Sequence, residues 1–403
     1  MRWDSPSLKL NPTTLRIWST AAKCVAIAGV AFLAGFCLRG REKMQPHQAE
    51  ETSLQAEAMP PQEKIYIPQP AKIYPQAGIE CSAPWSSTCF DRRRCVGVDG
   101  SPRLSIYAHD FNCTNAPSTE ILARKKPIGD YRTVPNAALK SFRKLARQSG
   151  LLAERVEDAC IIVYALTSTS WCITKTSEWN GGRNHLLVDW DDQAREYYYP
   201  DFQYSTAMWA QANMQARYFR FGYDIALPFP PKIQLDYLAD IPPTKRSFFA
   251  TFKGQLYLSR SGKEEREAIH HLGASADSPD VIVVEHCQEL HNEHLLPENL
   301  ELGQKLGEES GNQDYRDLMN TTFALIPAGR SPATYRLSEA MSAGAIPVFF
   351  HNSFVKPFPD LIPWRLCSFS FSIEEAPVVI DTLRAVPKKK LAFMQVHKYY
   401  DQS

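Results

Sequence analysis

Short apolar runs alternate with amphipathic stretches along most of the chain, which is the pattern of an α/β protein. In the first half, apolar runs at 103–108, 159–166 and 185–190 predict buried strands, and residues 136–152 predict an amphipathic helix. A proline-rich segment at 228–243 follows, and we predict that it connects two domains. The second half has apolar runs at 247–254, 279–286, 321–327 and 345–350, with helical patterns at about 263–272 and 333–343. This alternation predicts two α/β domains with parallel sheets, and a ligand site in the cleft between them.

The amino-terminal region has a different composition. Residues 24–38 carry no charge, but a membrane-spanning helix needs about 17–25 apolar residues, so a span must include 21–23 as well. We therefore predict a cytosolic tail at 1–20, a signal-anchor helix at 21–38 and a polar, proline-rich stalk at 39–80. A cleaved signal peptide and a buried core helix are the alternative interpretations of the same apolar run.

The net charge and the positions of the cysteines limit the class of protein to which this chain can belong. The chain has 45 Lys and Arg against 44 Asp and Glu, which does not fit a polybasic nucleic-acid-binding protein. Eight of its ten cysteines follow the stalk, and an anchor would place these eight in the oxidising lumen. Two glycosylation sequons, beginning at Asn112 and Asn320, agree with that compartment.

The segment 321–348 combines several turn and helix signals. A predicted strand ends at Pro327, and Gly329 allows a tight turn. Ser331 is predicted to cap the following helix, and Gly344 is predicted to end it. The helix would then present free backbone N–H groups to an anion.

Charged residues at the start of this helix suggest what the anion is. Arg330 would add a guanidinium for phosphate, and Arg336 and Glu339 would share one helix face. A cation for a diphosphate and a carboxylate for ribose hydroxyls fit a nucleotide-sugar site. On the spacing alone, a surface Arg–Glu pair on a capped helix is the favoured interpretation, because neither a Walker motif nor a GxGxxG pattern is present.

Five blocks of sequence resemble one known family. They are CFDRRRCVGV at 89–98, SEWNGGRNHLLV at 177–188, FKGQLYLSRSGKEEREAI at 252–269, FALIPAGRSPATYRLSEAMSAGAIPVFF at 323–350 and PWRLCSFSF at 363–371. Together they resemble the exostosin family of glycosyltransferases, most closely the N-terminal half of the animal heparan sulfate polymerases. The resemblance extends from about residue 81 to residue 395.

The resemblance implies a GT-B fold, with two Rossmann-like domains facing a cleft. It implies an acceptor domain at 81–235, a nucleotide-sugar-binding domain at 236–380 and a C-terminal helical segment at 381–403. The implied reaction is an inverting transfer from an α-linked UDP-sugar without a bound metal.

The resemblance also implies which residues bind the donor. The implied set is Lys253, Gly254, Gly329, Arg330, Ser331, Arg336 and Glu339. The chain departs from the family at Leu256, where the polymerases carry an arginine, and Arg260 is a candidate substitute. Loss of that arginine would weaken donor binding or end it.

Similarity to the family further implies a set of disulfide bonds. The implied pairs are Cys81 with Cys89 and Cys95 with Cys160. A pair between Cys113 and Cys172 is a guess that the resemblance does not supply. Relatives commonly carry cysteines where this chain has Ala324 and Ala345, which suggests that one disulfide has been lost as a unit.

An inverting transfer needs a base for the acceptor hydroxyl, and we expect it in the N-terminal domain. Asp189 is the first candidate because it ends a predicted strand at the edge facing the cleft. Asp191, Asp192 and His185 are alternatives, and each could instead be a solvated turn carboxylate or a core histidine. Asp189 also begins a DxD sequence, which in GT-A enzymes holds a divalent metal. The His- and Cys-rich segment 285–294 fits none of the usual zinc spacings and is interpreted as a polar loop.

The sequence therefore predicts a type II Golgi membrane glycosyltransferase that uses a UDP-sugar and acts on a glycan chain. UDP-glucuronic acid is the expected donor and a heparan-type chain the expected acceptor, with the neutral sugars of plant-type members as the alternative. No metal or other cofactor and no nucleic-acid partner are expected. A homodimer or a heterodimer with another glycosyltransferase fits the family. A non-catalytic partner subunit and a lectin-like glycan binder are the rival functions.

Overall fold

The structure is a computed structural model. It describes residues 89–97, 99–101, 103–109, 133–166, 173, 176–190, 206–216, 219–257, 262–276, 278–286, 313–329, 331–350 and 354–395. The predicted tail, anchor and stalk at 1–80 lie outside these residues. Among the helices within these ranges, none is both long and apolar enough to cross a membrane.

The first half of the described chain forms a five-stranded parallel sheet. Its strands are β1 (Ile106–His109), β2 (Ile161–Ala165), β3 (His185–Asp189), β4 (Met208–Gln211) and β5 (Ile225–Ala226). Each strand pairs with the next one along the chain, so the order is β1-β2-β3-β4-β5. Helix α1 (Thr133–Gln148) lies between β1 and β2 in the chain and contacts both.

Alternate side chains of the central strands enter two different cores. Tyr164, Leu187 and Trp209 pack on one face of the sheet. Val163 and Val188 pack on the other face. Burial on both faces explains why these strands appear in the sequence as nearly continuous apolar runs.

The second half forms another five-stranded parallel sheet. Its strands are β6 (Phe248–Gln255), β7 (Val281–His286), β8 (Thr321–Ile326), β9 (Ile346–Phe349) and β10 (Phe369–Ser370). The order is β10-β9-β8-β6-β7, so the direction of winding reverses between β6 and β8. In such sheets the crevice outside the carboxyl ends of the strands at the reversal is the usual ligand site.

Five α-helices accompany the second sheet within the described ranges. They are α2 (Lys263–Ser275), α3 (Tyr315–Leu318), α4 (Tyr335–Ser342), α5 (Val379–Arg384) and α6 (Lys388–Met394). The last two correspond to the predicted C-terminal helical region, of which 396–403 lie outside the description.

Helix α4 begins later than the sequence predicted. Its N-cap is Thr334, whose hydroxyl accepts a hydrogen bond from the backbone N–H of Arg336, so the prediction that Ser331 is the cap was wrong. Ser331 instead lies in the bend between β8 and the helix. The other end agrees with the prediction, because Gly344 follows the helix with φ of 68°.

The two halves contact each other through the loop before α4. Ala333 belongs to the same buried cluster as Val188 of β3. The ring of Phe229, in the connector, stacks on the ring of Tyr335 at 4.7 Å between centroids. The entrance to α4 therefore lies at the boundary between the halves, next to the carboxyl edge of the first sheet.

Candidate active site

The side chain of Arg336 crosses the reversal in the second sheet. Its Nε donates to the carbonyl of Leu325 in β8 at 3.0 Å, and its Nη2 donates to the carbonyl of Thr251 in β6 at 2.8 Å. The residue is 5% exposed, and its Nη1 has no hydrogen-bond partner among the described residues. Arg336 is therefore a buried cation at the crevice, which excludes the interpretation as a solvated surface pair.

Glu339 lies one turn further along α4 and is also buried. The hydroxyl of Tyr315 donates to Glu339 Oε2, and the backbone N–H of Lys232 donates to Oε1 at 3.2 Å. The Tyr315 ring centroid lies 5.5 Å from the guanidinium carbon of Arg336. Tyr315 thus stands between the two charged side chains, and burial raises the pKa of its hydroxyl.

The loop between β8 and α4 presents a second polar atom without a partner. Ser331 is buried, and no described residue bonds its Oγ. Gly329 comes close to the backbone, because a Cβ there would lie 2.9 Å from the carbonyl oxygen of Ala333. Arg330 is outside the described residues.

The residues at the end of β6 have different roles. The Lys253 ammonium donates to the carbonyl of Gln313. A Cβ at Gly254 would lie 2.7 Å from the Phe252 ring, so a larger residue at this position would clash with that ring. Leu256 is 2% exposed, so the position where the resemblance implied an arginine holds a buried apolar side chain. The proposed substitute, Arg260, lies outside the described residues.

Sequence reasoning missed two buried charges at this edge. Arg266 of α2 donates from Nε to the carbonyl of Ala328 at 2.9 Å, and from Nη1 to the carbonyl of Gln255. Glu285, near the end of β7, lies 2.6 Å from Nδ1 of His270, and burial raises the pKa of its carboxyl. The signal available was weak: Arg266 lies one turn before buried Ile269 in an otherwise polar helix start, and Glu285 follows four apolar residues of β7.

His185 has the surroundings of a core residue. It is 0% exposed, its Nδ1 lies 2.7 Å from the carbonyl oxygen of Arg183, and its ring packs against Tyr164 and Trp179. Burial lowers its pKa to about 4, so the ring is neutral at neutral pH. It begins β3, whereas the crevice is at the carboxyl end, so these contacts favour the core-histidine interpretation.

Asp189 is at the opposite end of β3, on the edge that meets the second half. It is buried, and Nε2 of Gln211 in β4 donates to its Oδ2 at 3.1 Å. Asp191 and Asp192 lie outside the described residues. Where the structure describes the chain, no group of three His, Cys, Asp or Glu is arranged to hold a metal.

One disulfide that the resemblance implied is present in the structure, between Cys95 and Cys160. Cys89 is also disulfide-bonded, with a partner outside the described residues, and Cys81, Cys113 and Cys172 lie there too. Cys367 is a buried free thiol, and burial raises its pKa to about 11.

The other sequence predictions concern alanines and sequons. Ala324 and Ala345, where the resemblance implied that relatives carry cysteines, are both fully buried in one core cluster. The amide nitrogen of Asn320 donates to the hydroxyl of Ser247 at 2.8 Å, while Asn112 lies outside the described residues. Glycosylation at either asparagine stays a prediction.

Comparison with known proteins gives the family. The Exostosin GT47 domain matches residues 103–386. Exostosin-1a of Danio rerio is 31% identical over 202 residues, covering 46% of this chain and 26% of that protein. Exostosin-1 of Drosophila melanogaster is 28% identical over 229 residues, covering 53% and 29% respectively. The chain thus matches less than a third of the length of these relatives.

Among solved structures, WaaG, described as a glycosyltransferase involved in lipopolysaccharide biosynthesis, aligns with 74% of this chain and 96% of its own. Its TM-score of 0.30 and identity of 16% add nothing to the fold described above. The family match, by contrast, covers more than half of the chain and includes both sheets and the crevice at Arg336. The chain belongs to the exostosin GT47 family of glycosyltransferases.

Proposed function

We propose that this chain binds a UDP-sugar at the reversal in its second sheet and transfers the sugar, with inversion, to a glycan chain. One observation carries the proposal: Ser331 Oγ, in the loop between β8 and α4, and Arg336 Nη1, in the first turn of α4, are buried donors without described partners. A diphosphate supplies acceptors for both. Buried donors of this kind cost free energy until a ligand satisfies them.

The same buried donors can also stabilise UDP as the leaving group. Charge develops on the diphosphate as the bond to the sugar breaks, and fixed donors stabilise it without rearranging. The two carbonyl bonds of Arg336 fix its guanidinium, so Nη1 is held in place before the donor arrives. Glu339 accepts from Tyr315 and Lys232, and in this proposal its remaining acceptor capacity serves the ribose hydroxyls.

Asp189 is the base in this proposal. Its carboxylate takes the proton of the acceptor hydroxyl while that oxygen attacks the anomeric carbon, and UDP leaves from the opposite face. Two facts support it: the residue ends β3 on the edge facing the second half, and Gln211 fixes one of its oxygens.

The finer assignments are also proposals. Resemblance to the animal polymerases supports UDP-glucuronic acid as donor and a heparan-type chain as acceptor, with neutral UDP-sugars as the alternative. The Cys95–Cys160 disulfide supports an oxidising compartment, in keeping with a type II Golgi protein anchored by 21–38. The reaction is proposed to need no metal.

UDP binding by the full-length chain, measured by titration calorimetry in EDTA, tests the proposal. We expect Arg336→Ala to weaken binding about a hundredfold, because it removes a charged hydrogen-bond donor to the diphosphate. Arg384→Ala is the control, since Arg384 is part-exposed and pairs with Asp280 just before the opposite, amino end of β7. Product analysis with a panel of UDP-sugars then identifies the donor.

Circular dichroism must show that the Arg336 variant is folded, and Arg336→Lys provides a milder second variant. Wild-type affinity in both variants would remove Arg336 from the site. A strict Mn²⁺ requirement for transfer would instead favour the DxD interpretation of Asp189.

A non-catalytic partner subunit is the second candidate, and buried Leu256 in place of the family arginine favours it. It predicts that the wild-type chain binds no UDP and co-purifies with an active glycosyltransferase.

A further inference from the structure

We propose that Arg266 is a positioning residue that holds the loop after β8 in its donor-binding shape without itself contacting the donor. The inference rests on the proposed function, because it concerns the same site. Nothing in the sequence motifs singled out this arginine.

The first argument is the geometry of its hydrogen bonds. Its guanidinium joins the carbonyl of Gln255, the last residue of β6, to the carbonyl of Ala328, just beyond β8. Arg336 joins the same two strands further from their carboxyl ends, at Thr251 and Leu325. Two arginines therefore bridge the reversal in succession, and Arg266 forms the bridge that includes the loop.

The second argument is that Arg266 is held in place by its surroundings. It is buried, and its guanidinium carbon lies 4.2 Å from the ring centroid of Tyr257 and 5.5 Å from that of Phe252. Its Nη1 would lie only 3.2 Å from a Cβ at Gly254. A guanidinium that packs against two rings and donates to two carbonyls is itself held in one position. It can therefore fix the two backbone segments that carry those carbonyls.

The third argument is that the helix bearing Arg266 touches the same loop at a second point. Gly262, the N-cap of α2, has φ of 81°, and a Cβ there would lie 2.5 Å from the carbonyl oxygen of Gly329. The backbone N–H of Arg266 donates to the carbonyl of Gly262. The first turn of α2 thus fixes two successive loop residues, Ala328 and Gly329, and Ser331, with its buried hydroxyl, follows Gly329 two positions later.

In this proposal the geometry of the Arg266 guanidinium, rather than its charge, holds the loop. Substitution by lysine tests the two properties separately. A planar guanidinium reaches two carbonyls at once, whereas an ammonium on a flexible stem acts as a point charge. Arg266→Lys keeps the positive charge and gives up the simultaneous bridge. Gly262→Ala keeps Arg266 and displaces the loop at Gly329.

The test is UDP titration of the full-length chain and of both variants, with Arg384→Lys as the matched arginine-to-lysine control. We expect each loop variant to bind UDP about tenfold more weakly or worse, because the loop donors no longer meet the diphosphate in fixed positions. The control should bind like wild type. In turnover assays, the KM for the UDP-sugar should rise more than kcat falls, and thermal unfolding should stay cooperative.

The outcomes distinguish the two proposals. If wild type binds UDP and Arg336→Ala does not, but Arg266→Lys and Gly262→Ala bind normally, the positioning role is overturned and the proposed function stands. Full affinity in Arg266→Lys together with loss in Arg266→Gln would show that charge alone matters, which also overturns it. Absence of UDP binding by wild type overturns the proposed function and this inference together. If Arg266→Lys fails to fold, Gly262→Ala decides.

Discussion

At the scale of single residues, buried polar atoms without a hydrogen-bond partner occur in both halves of the described chain, and two of them belong to the candidate site. An unsatisfied buried donor costs about 1–3 kcal/mol. Arg336 and Ser331 each hold one at the same edge of the second sheet. A ligand with acceptor oxygens recovers that cost, so the folded chain is already suited to an anion before one binds.

Burial of the His185 ring makes the stability of the folded protein depend on pH. Burial lowers its pKa from the ordinary 6.5 to about 4 in the folded protein, so the folded state binds the proton less tightly. Stability is therefore complete above pH 6.5 and falls as the pH drops towards 4. The loss amounts to about 3 kcal/mol at about 1.4 kcal/mol per pH unit.

Urea unfolding of wild type and His185→Gln across pH 4–7 measures this effect. Carboxyl groups titrate in both proteins, so the difference between the two curves isolates the histidine. A difference that does not change with pH would contradict the burial argument.

At the scale of elements, the sequence had assigned both the capping of α4 and ligand binding to Ser331, whereas the structure gives the capping to another residue. Thr334 caps the helix, whereas Ser331 leaves its hydroxyl free of described partners. The sequence suggested Ser331 because a following proline favours a first turn. The structure begins the helix where a hydroxyl can meet the N–H of Arg336.

Thr334→Ala and Ser331→Ala should therefore have different effects. Loss of the cap should lower the free energy of unfolding by about 1 kcal/mol. Ser331→Ala removes a buried hydroxyl that has no described partner, so it should raise the free energy of unfolding by about 1 kcal/mol or more and weaken UDP binding. Chemical denaturation and calorimetry on both variants check this, and equal loss of stability in the two would count against the assignment.

The elements that sequence reasoning found are those with long apolar runs. Strands β1–β3 and β6–β9 were predicted, with ends shifted by a few residues. Strand β4 was missed because MWAQ is four residues long and ends in a polar side chain, although all four are buried. Strands β5 and β10 have two residues each, too few for any period to show.

At the scale of the whole molecule, the site depends on sheet order, which no local pattern reveals. The spacing of Arg336 and Glu339 was visible in the sequence. The roles of Arg266, Glu285 and Tyr315 were not, because they come from segments that meet only when β6 lies between β7 and β8. Without that order, Arg266 appears as one more charge in a polar helix.

The Cys95–Cys160 disulfide is a constraint on the same scale, since it closes a loop across 65 positions. Replacing both cysteines by alanine should cost about 4 kcal/mol, chiefly by giving the unfolded chain more freedom. Denaturation with and without a reductant measures the loss. The reductant should destabilise wild type more than the double variant, and equal sensitivity would contradict the argument.

The two sheets differ in one respect with a wider consequence: the first adds its strands in chain order, whereas the second reverses direction. In the proposed function, most of the donor site therefore lies in the second half, while the strand ends of the first half and the connector residues Phe229 and Lys232 border it. On the proposed function, we expect substitutions at the strand ends of the N-terminal half to change which sugar chain is accepted and to leave nucleotide binding unaltered. Acceptor preference could then diverge without any change to the nucleotide site.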